Sequence, residues 1–117
     1  MKITLAERGV SCVAELLDKD APRTCDAVWN ALPQGDAVQH AKYARNEVYT
    51  MVPRFAETEP GQENPTVTPI PGDVVYFFFD GGMLDRQFND AKGTYHPPVV
   101  IELALTYGRH TLLPDAD

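Results

Sequence analysis

The sequence predicts a mainly β domain that contains one helix. Short segments rich in β-branched and aromatic residues, of which Val74 to Phe79 is the most apolar, are separated by turns that contain glycine, proline or aspartate. Strands do not alternate with long helical segments, so a parallel sheet is not indicated. These observations favour an antiparallel barrel or sandwich of about seven or eight strands.

The length and the charge of the chain limit the classes of function that it can have. The chain has 117 residues, of which 44% are hydrophobic, and this length suits a single domain over residues 1–117. With 10 basic and 17 acidic residues the net charge is −7, and no basic stripe is present that would bind nucleic acid. No apolar run is long enough to cross a bilayer, so a membrane partner is not expected. The early Glu7-Arg8 pair interrupts any secretory leader, which predicts a cytoplasmic location.

The N-terminal third predicts a pair of strands followed by the helix. Alternation from Ile3 to Leu16, with a turn near Gly9, indicates two paired strands. Pro22 suits the first turn of a helix over residues 21–32, because its missing N–H would have no partner there. Helical spacing places four apolar residues on one stripe that we expect to face the core: Cys25, Val28, Trp29 and Leu32.

A period of two between Tyr43 and Val52 predicts one unbroken strand in the middle of the chain. One parity is small and mostly aliphatic, and the other carries the polar and aromatic residues Tyr43, Arg45, Glu47, Tyr49 and Met51. Val74 to Phe79 is apolar on both parities, which indicates a strand covered on both faces and predicts a central position in the sheet.

Three segments in order carry a resemblance to a known family. They are Trp29-Asn30-Ala31-Leu32-Pro33, Ala41-Lys42-Tyr43-Ala44-Arg45-Asn46-Glu47-Val48-Tyr49 and Pro71-Gly72-Asp73-Val74-Val75-Tyr76. From about residue 3 to residue 105 the chain resembles a bacterial family of small uncharacterised proteins with a cyclophilin-like fold. The resemblance implies a closed or nearly closed β-barrel with a helix across one end. It implies no reaction, because one fold can carry unrelated functions.

The polar face of the middle strand is the candidate site. Arg45 and Glu47 side by side can orient a small polar or anionic metabolite through paired hydrogen bonds, with Glu47 also able to act as a base. His40 is a further candidate base, since imidazole titrates near neutral pH. These three residues are the predicted catalytic group, and ligand binding is assigned to Tyr49, Tyr76, His96 and Asn46.

Two other functions remain open at this point. The same strand face, together with Tyr43 and Met51, would also suit a subunit contact in a homo-oligomer without a ligand. Prolyl isomerase activity is less favoured, because the F-M-x-Q-x-G-D segment typical of cyclophilins has no match in the chain. No cofactor is predicted, and no histidine pair has the spacing of a metal site.

Overall fold

The computed structural model describes residues 1–55, 60–80 and 99–113. The chain begins with an antiparallel pair, β1 (Lys2–Leu5) and β2 (Val10–Val13), in which Leu5 lies opposite Val10. The short 3₁₀ turn Ala6–Arg8 joins them, and Gly9 follows it at φ 64, a left-handed conformation that glycine adopts without strain. The two predicted N-terminal strands are therefore confirmed.

The helix α1 (Pro22–Ala31) confirms the predicted helix to within one residue at each end. Pro22 occupies its first turn, and Val28 is its buried residue. Trp29 is more than half exposed, so its predicted position in the core is wrong. Neighbouring residues on a helix are separated by about 100°, so a face that buries Val28 turns the next side chain toward solvent.

The second sheet has four antiparallel strands in the order β3-β4-β6-β5. Their bounds are β3 (Val38–His40), β4 (Glu47–Pro53), β5 (Val74–Asp80) and β6 (Val99–Thr106). β6 lies between β4 and β5 and is buried on both parities, as Ile101 and Ala104 show. Within the described residues β5 pairs only with β6, so its predicted central position is wrong. Apolar residues on both parities of a strand indicate that both of its faces are covered. They do not indicate that another strand pairs with each of its edges.

The middle strand begins later than its alternation predicts. β3 and β4 form a hairpin in which His40 lies opposite Val48, and Ala41 donates its N–H to the Glu47 carbonyl at 2.9 Å. Residues 42–46 therefore reverse the chain direction, and Arg45 takes a left-handed φ of 70. The prediction of one unbroken strand from Tyr43 to Met51 is therefore wrong for residues 43–46, which precede β4.

The closed barrel implied by the resemblance is also wrong. In the part of the chain that the structure describes, six strands form two separate open sheets, and β3 and β5 are the edges of the larger one. The coarser prediction, a mainly β chain with one α-helix, holds for these residues. Among them no helix is both long and apolar enough to span a bilayer.

Candidate functional site

Two buried glutamates lie on one face of the larger sheet, one on β4 and one on β6. The register pairs Glu47 with Thr106, Tyr49 with Ala104, and Met51 with Glu102. Alternate residues of a strand share a face, so these six side chains project from the same side. We call this surface the acidic face and define it by these residues: Glu47, Tyr49, Met51, Glu102, Ala104 and Thr106.

The side chains of each pair on the acidic face are close. The N–H and C=O of Thr106 bond toward β5, to Asp73 at 2.9 Å and from Gly72 at 2.8 Å. The Glu47 carbonyl bonds toward β3, so Glu47 and Thr106 form a pair that exchanges no backbone hydrogen bonds. In antiparallel sheets such pairs bring the two Cβ atoms to about 4.5–5.5 Å.

Glu47 and Thr106 are the most buried polar residues of this face. Their exposed fractions are 2% and 0%. Within the described residues, neither the Glu47 Oε2 atom nor the Thr106 Oγ1 atom has a hydrogen-bond partner. A buried polar oxygen without a partner destabilises the fold by roughly 1–3 kcal/mol, so two of them on residues that lie opposite each other are unusual in a structural core.

Burial raises the pKa of both glutamates. Glu102 is 8% exposed, and desolvation together with the nearby charge of Glu47 raises its pKa to about 7. Desolvation also raises the pKa of Glu47 above the ordinary glutamate value. Perturbed carboxyl groups concentrate at functional sites, because burial and like charge are the means by which proteins prepare an acid or a base.

Tyr49 lies on β4 between Glu47 and Met51, the residue opposite Glu102. Burial raises the pKa of its phenol, and the charges of Glu102 and Glu47 raise it further. Its hydroxyl donates a hydrogen bond to the Gln39 Oε1 atom at 3.1 Å. The phenol therefore stays protonated near neutral pH and is held from β3 at the edge of the acidic face.

Of the predicted site residues, the structure brings Glu47 and Tyr49 together. Arg45 is exposed on the β3–β4 hairpin, and within the described chain it makes no ion pair with Glu47. The expectation that Arg45, Glu47 and Tyr49 share one strand face is therefore wrong for Arg45. The hairpin reverses the chain at this residue, so strand alternation does not extend to it.

The other predicted residues lie elsewhere. Tyr76 pairs with Leu103, which places it on the opposite face of the sheet. Asn46 donates from Nδ2 to the Arg109 carbonyl at 2.7 Å, a contact within the fold. His40 contacts Tyr107 and the Ala41 carbonyl. His96 lies outside the described residues.

Glu102 and Thr106 are the polar members of the acidic face that sequence reasoning missed. A signal for Glu102 was present, because it is the one charged residue in the apolar run from Val99 to Leu105. A charge in a strand that is otherwise apolar on both parities is seldom fully buried without a partner or a function. Thr106 carried no such signal.

The described residues hold no group of three or more His, Cys, Asp or Glu side chains that could bind a metal ion. Both cysteines are free, Cys12 exposed and Cys25 partly buried, and desolvation by burial raises the pKa of the Cys25 thiol.

Comparison with family models finds a match over residues 3–117 to the family described as "Protein of unknown function (DUF3830)". The chain belongs to this family. No curated protein matches this DUF3830 member.

Proposed function

We propose that this chain binds a small polar ligand on the acidic face, and that the ligand presents N–H or O–H donors and is neutral or cationic. The observation that carries the proposal is that two buried oxygens, Glu47 Oε2 and Thr106 Oγ1, have no hydrogen-bond partner within the described residues and belong to residues that lie opposite each other in the sheet. A carboxylate oxygen can only accept a hydrogen bond, and a hydroxyl can donate or accept. A ligand donor such as an ammonium or amide N–H satisfies Glu47 and is held on its other side by Thr106.

The charge of the face supports a neutral or cationic ligand over an anion. Two carboxyl groups, Glu47 and Glu102, project from it, and the residues that define it include no cation. Like charges close together in a buried site repel strongly, since the low local dielectric screens them poorly. Anion binding would need a cation, and the predicted one, Arg45, lies on the exposed hairpin.

Acid–base chemistry on the bound ligand is part of this proposal. A group transfers protons most effectively when its pKa lies near the working pH, and the pKa of Glu102 is about 7. Glu102 is thus suited to give or accept a proton, while Glu47 anchors the donor of the ligand. Arg45 and His40 keep no role in this arrangement.

We also propose a cyclophilin-like relationship, a bacterial origin and a cytoplasmic location for this chain. A cyclophilin-like relationship and bacterial origin are supported by the three ordered motifs, and a cytoplasmic location by the polar start of the chain.

The homo-oligomeric alternative is supported by Tyr43, a large aromatic residue that is 92% exposed on the β3–β4 hairpin. Sedimentation of the wild type and of Tyr43→Ala tests that alternative, because a Tyr43 contact predicts dissociation of the variant.

The test of ligand binding compares three probes of similar size: ethylammonium, acetamide and acetate. In NMR titrations of the labelled chain, the first two should shift the amide signals of residues 47 and 106, and acetate should not. Glu47→Gln should abolish the shifts. Glu15→Gln is the matched control, because Glu15 is exposed and loses the same charge.

Two results would contradict the proposal. One is an equal response of the wild type and Glu47→Gln to ethylammonium and acetamide. The other is preferential binding of acetate that Arg45→Ala removes, which would favour the anion site predicted from the sequence. Circular dichroism of each variant checks that the fold is retained.

A further inference from the structure

A histidine and a tyrosine meet at one end of the larger sheet, away from the acidic face. His40 is the last residue of β3, and Tyr107 directly follows β6. The Tyr107 hydroxyl forms a hydrogen bond with the His40 Nε2 atom. The two rings are T-shaped, with centroids 5.6 Å apart and planes at 67°. Register places His40 beside Val48, on the parity opposite to Glu47.

A backbone carbonyl sets the tautomer of the neutral ring of this histidine. The His40 Nδ1 atom lies 2.8 Å from the Ala41 carbonyl oxygen, which can only accept a hydrogen bond. Nδ1 therefore carries the proton, and in the neutral ring Nε2 has a free electron pair. The Tyr107 hydroxyl consequently donates to Nε2, and the carbonyl holds the ring in the orientation that receives this donor.

We propose that Tyr107 is a nucleophile activated by His40, and that it accepts an acyl group from an activated ester. A nucleophile bonded to a base, with the base oriented by a third group, is the arrangement that activates hydroxyl nucleophiles. Both side chains are exposed, Tyr107 to 52%, so a reagent can reach the phenol. The site is separate from the acidic face and does not depend on ligand binding there.

The step balances without a further reactant. The phenol oxygen of Tyr107 forms a bond to the acyl carbon while its proton passes to His40 Nε2. The bond between the acyl carbon and the ester oxygen of the leaving group breaks, and the leaving group departs with the electron pair. His40 then gives its proton to the leaving group. The products are an acyl-tyrosine and the phenol or alcohol of the ester.

The chain contains its own control for this reaction. Tyr43 is 92% exposed, so exposure alone predicts that it reacts faster than Tyr107. With p-nitrophenyl acetate as the probe, peptide mass spectrometry measures the acetylation rate at each tyrosine. Because base assistance accelerates such steps by about a hundredfold or more, Tyr107 should react at least about tenfold faster than Tyr43.

Removal of the base separates activation from accessibility. His40→Gln should reduce the Tyr107 rate to that of Tyr43 or below, and leave the Tyr43 rate unchanged. His40→Asn provides a second variant with the same expectation. The proposal is overturned if Tyr43 reacts as fast as Tyr107 in the wild type, or if both histidine variants keep the faster reaction at Tyr107.

Discussion

Glu47 on β4 and Thr106 on β6 face each other across the sheet, and each buries a side-chain oxygen that no described residue hydrogen-bonds. A threonine hydroxyl and a glutamate carboxyl in such a pair can bond directly, and here they do not. This pair and Glu102, which lies on the same face opposite Met51, define the candidate site.

Replacement of Thr106 by valine tests whether its hydroxyl lacks a partner. Thr106→Val keeps the shape and removes the oxygen, so we expect the free energy of unfolding to stay unchanged or rise by up to about 1 kcal/mol. Urea unfolding measures the change. Thr111→Val is the matched control, because the buried Thr111 hydroxyl contacts the Asn46 and Gly108 carbonyls at 3.5 and 3.4 Å. The free energy of unfolding of Thr111→Val should fall by about 1 kcal/mol. An equal fall in Thr106→Val would show that the Thr106 hydroxyl has a hydrogen-bond partner.

Glu102 should make stability fall as the pH rises. Its folded pKa of about 7 is higher than the ordinary 4.5, so between these values the folded state binds more protons than the unfolded state. The stabilisation is complete below pH 4.5 and is lost as the pH rises through about 7. The loss attributable to Glu102 should be about 3 kcal/mol.

The difference between wild type and Glu102→Gln isolates this contribution. Urea unfolding of both proteins across this pH range should give curves that diverge, with the variant gaining stability relative to the wild type as the pH rises. Parallel curves would mean that Glu102 keeps an ordinary pKa. Glu15→Gln, which removes an exposed charge, should give a curve parallel to that of the wild type.

Glu63 should have the opposite pH dependence. The residue before α1, Ala21, offers no side-chain cap, and Glu63 accepts hydrogen bonds from the Thr24 N–H at 2.7 Å and the Thr24 hydroxyl at 2.9 Å. The Arg23 N–H donates to it as well, at 3.3 Å. Desolvation tends to raise the pKa of Glu63, but these hydrogen bonds and the Arg23 charge outweigh it and lower the pKa.

A lowered pKa stabilises the fold above pH 4.5, and the stabilisation is lost as the pH falls through the folded value. We expect Glu63→Gln to lower the melting temperature by several degrees at neutral pH, since an anion at a helix N-terminus is favourable. The difference in melting temperature between Glu63→Gln and the wild type should become smaller at acidic pH. Thermal scans at neutral and acidic pH measure both effects, and a difference that does not change with pH would contradict the charge-based explanation.

Gly108 should not tolerate a side chain. A Cβ atom at this position would lie 2.8 Å from the Asn46 Cβ atom, which is close to the backbone and has little freedom to move. We expect Gly108→Ala to destabilise the fold by about 1–3 kcal/mol, measured by urea unfolding. Gly35→Ala is the control, because a Cβ atom on Gly35 would have no neighbouring atom within 4 Å and little change is expected.

The sequence by itself determined the local elements of this protein. Apolar alternation with a turn at Gly9 predicted β1 and β2, and helical spacing after Pro22 predicted α1. The face shared by Glu47 and Tyr49 followed from the period of two, which holds from the first residue of β4. Each of these features depends on contacts between residues close in the chain, and periodicity reports such contacts.

Only the tertiary structure decided which strands are neighbours. Strand pairing brought Glu102 and Thr106 to Glu47 from more than fifty residues away, and the β3–β4 hairpin removed Arg45 from the face. The same pairing placed Tyr76 on the opposite side and β5 at an edge. The alternation of one strand states which of its residues share a side, and it contains no information on the register or order of its partners.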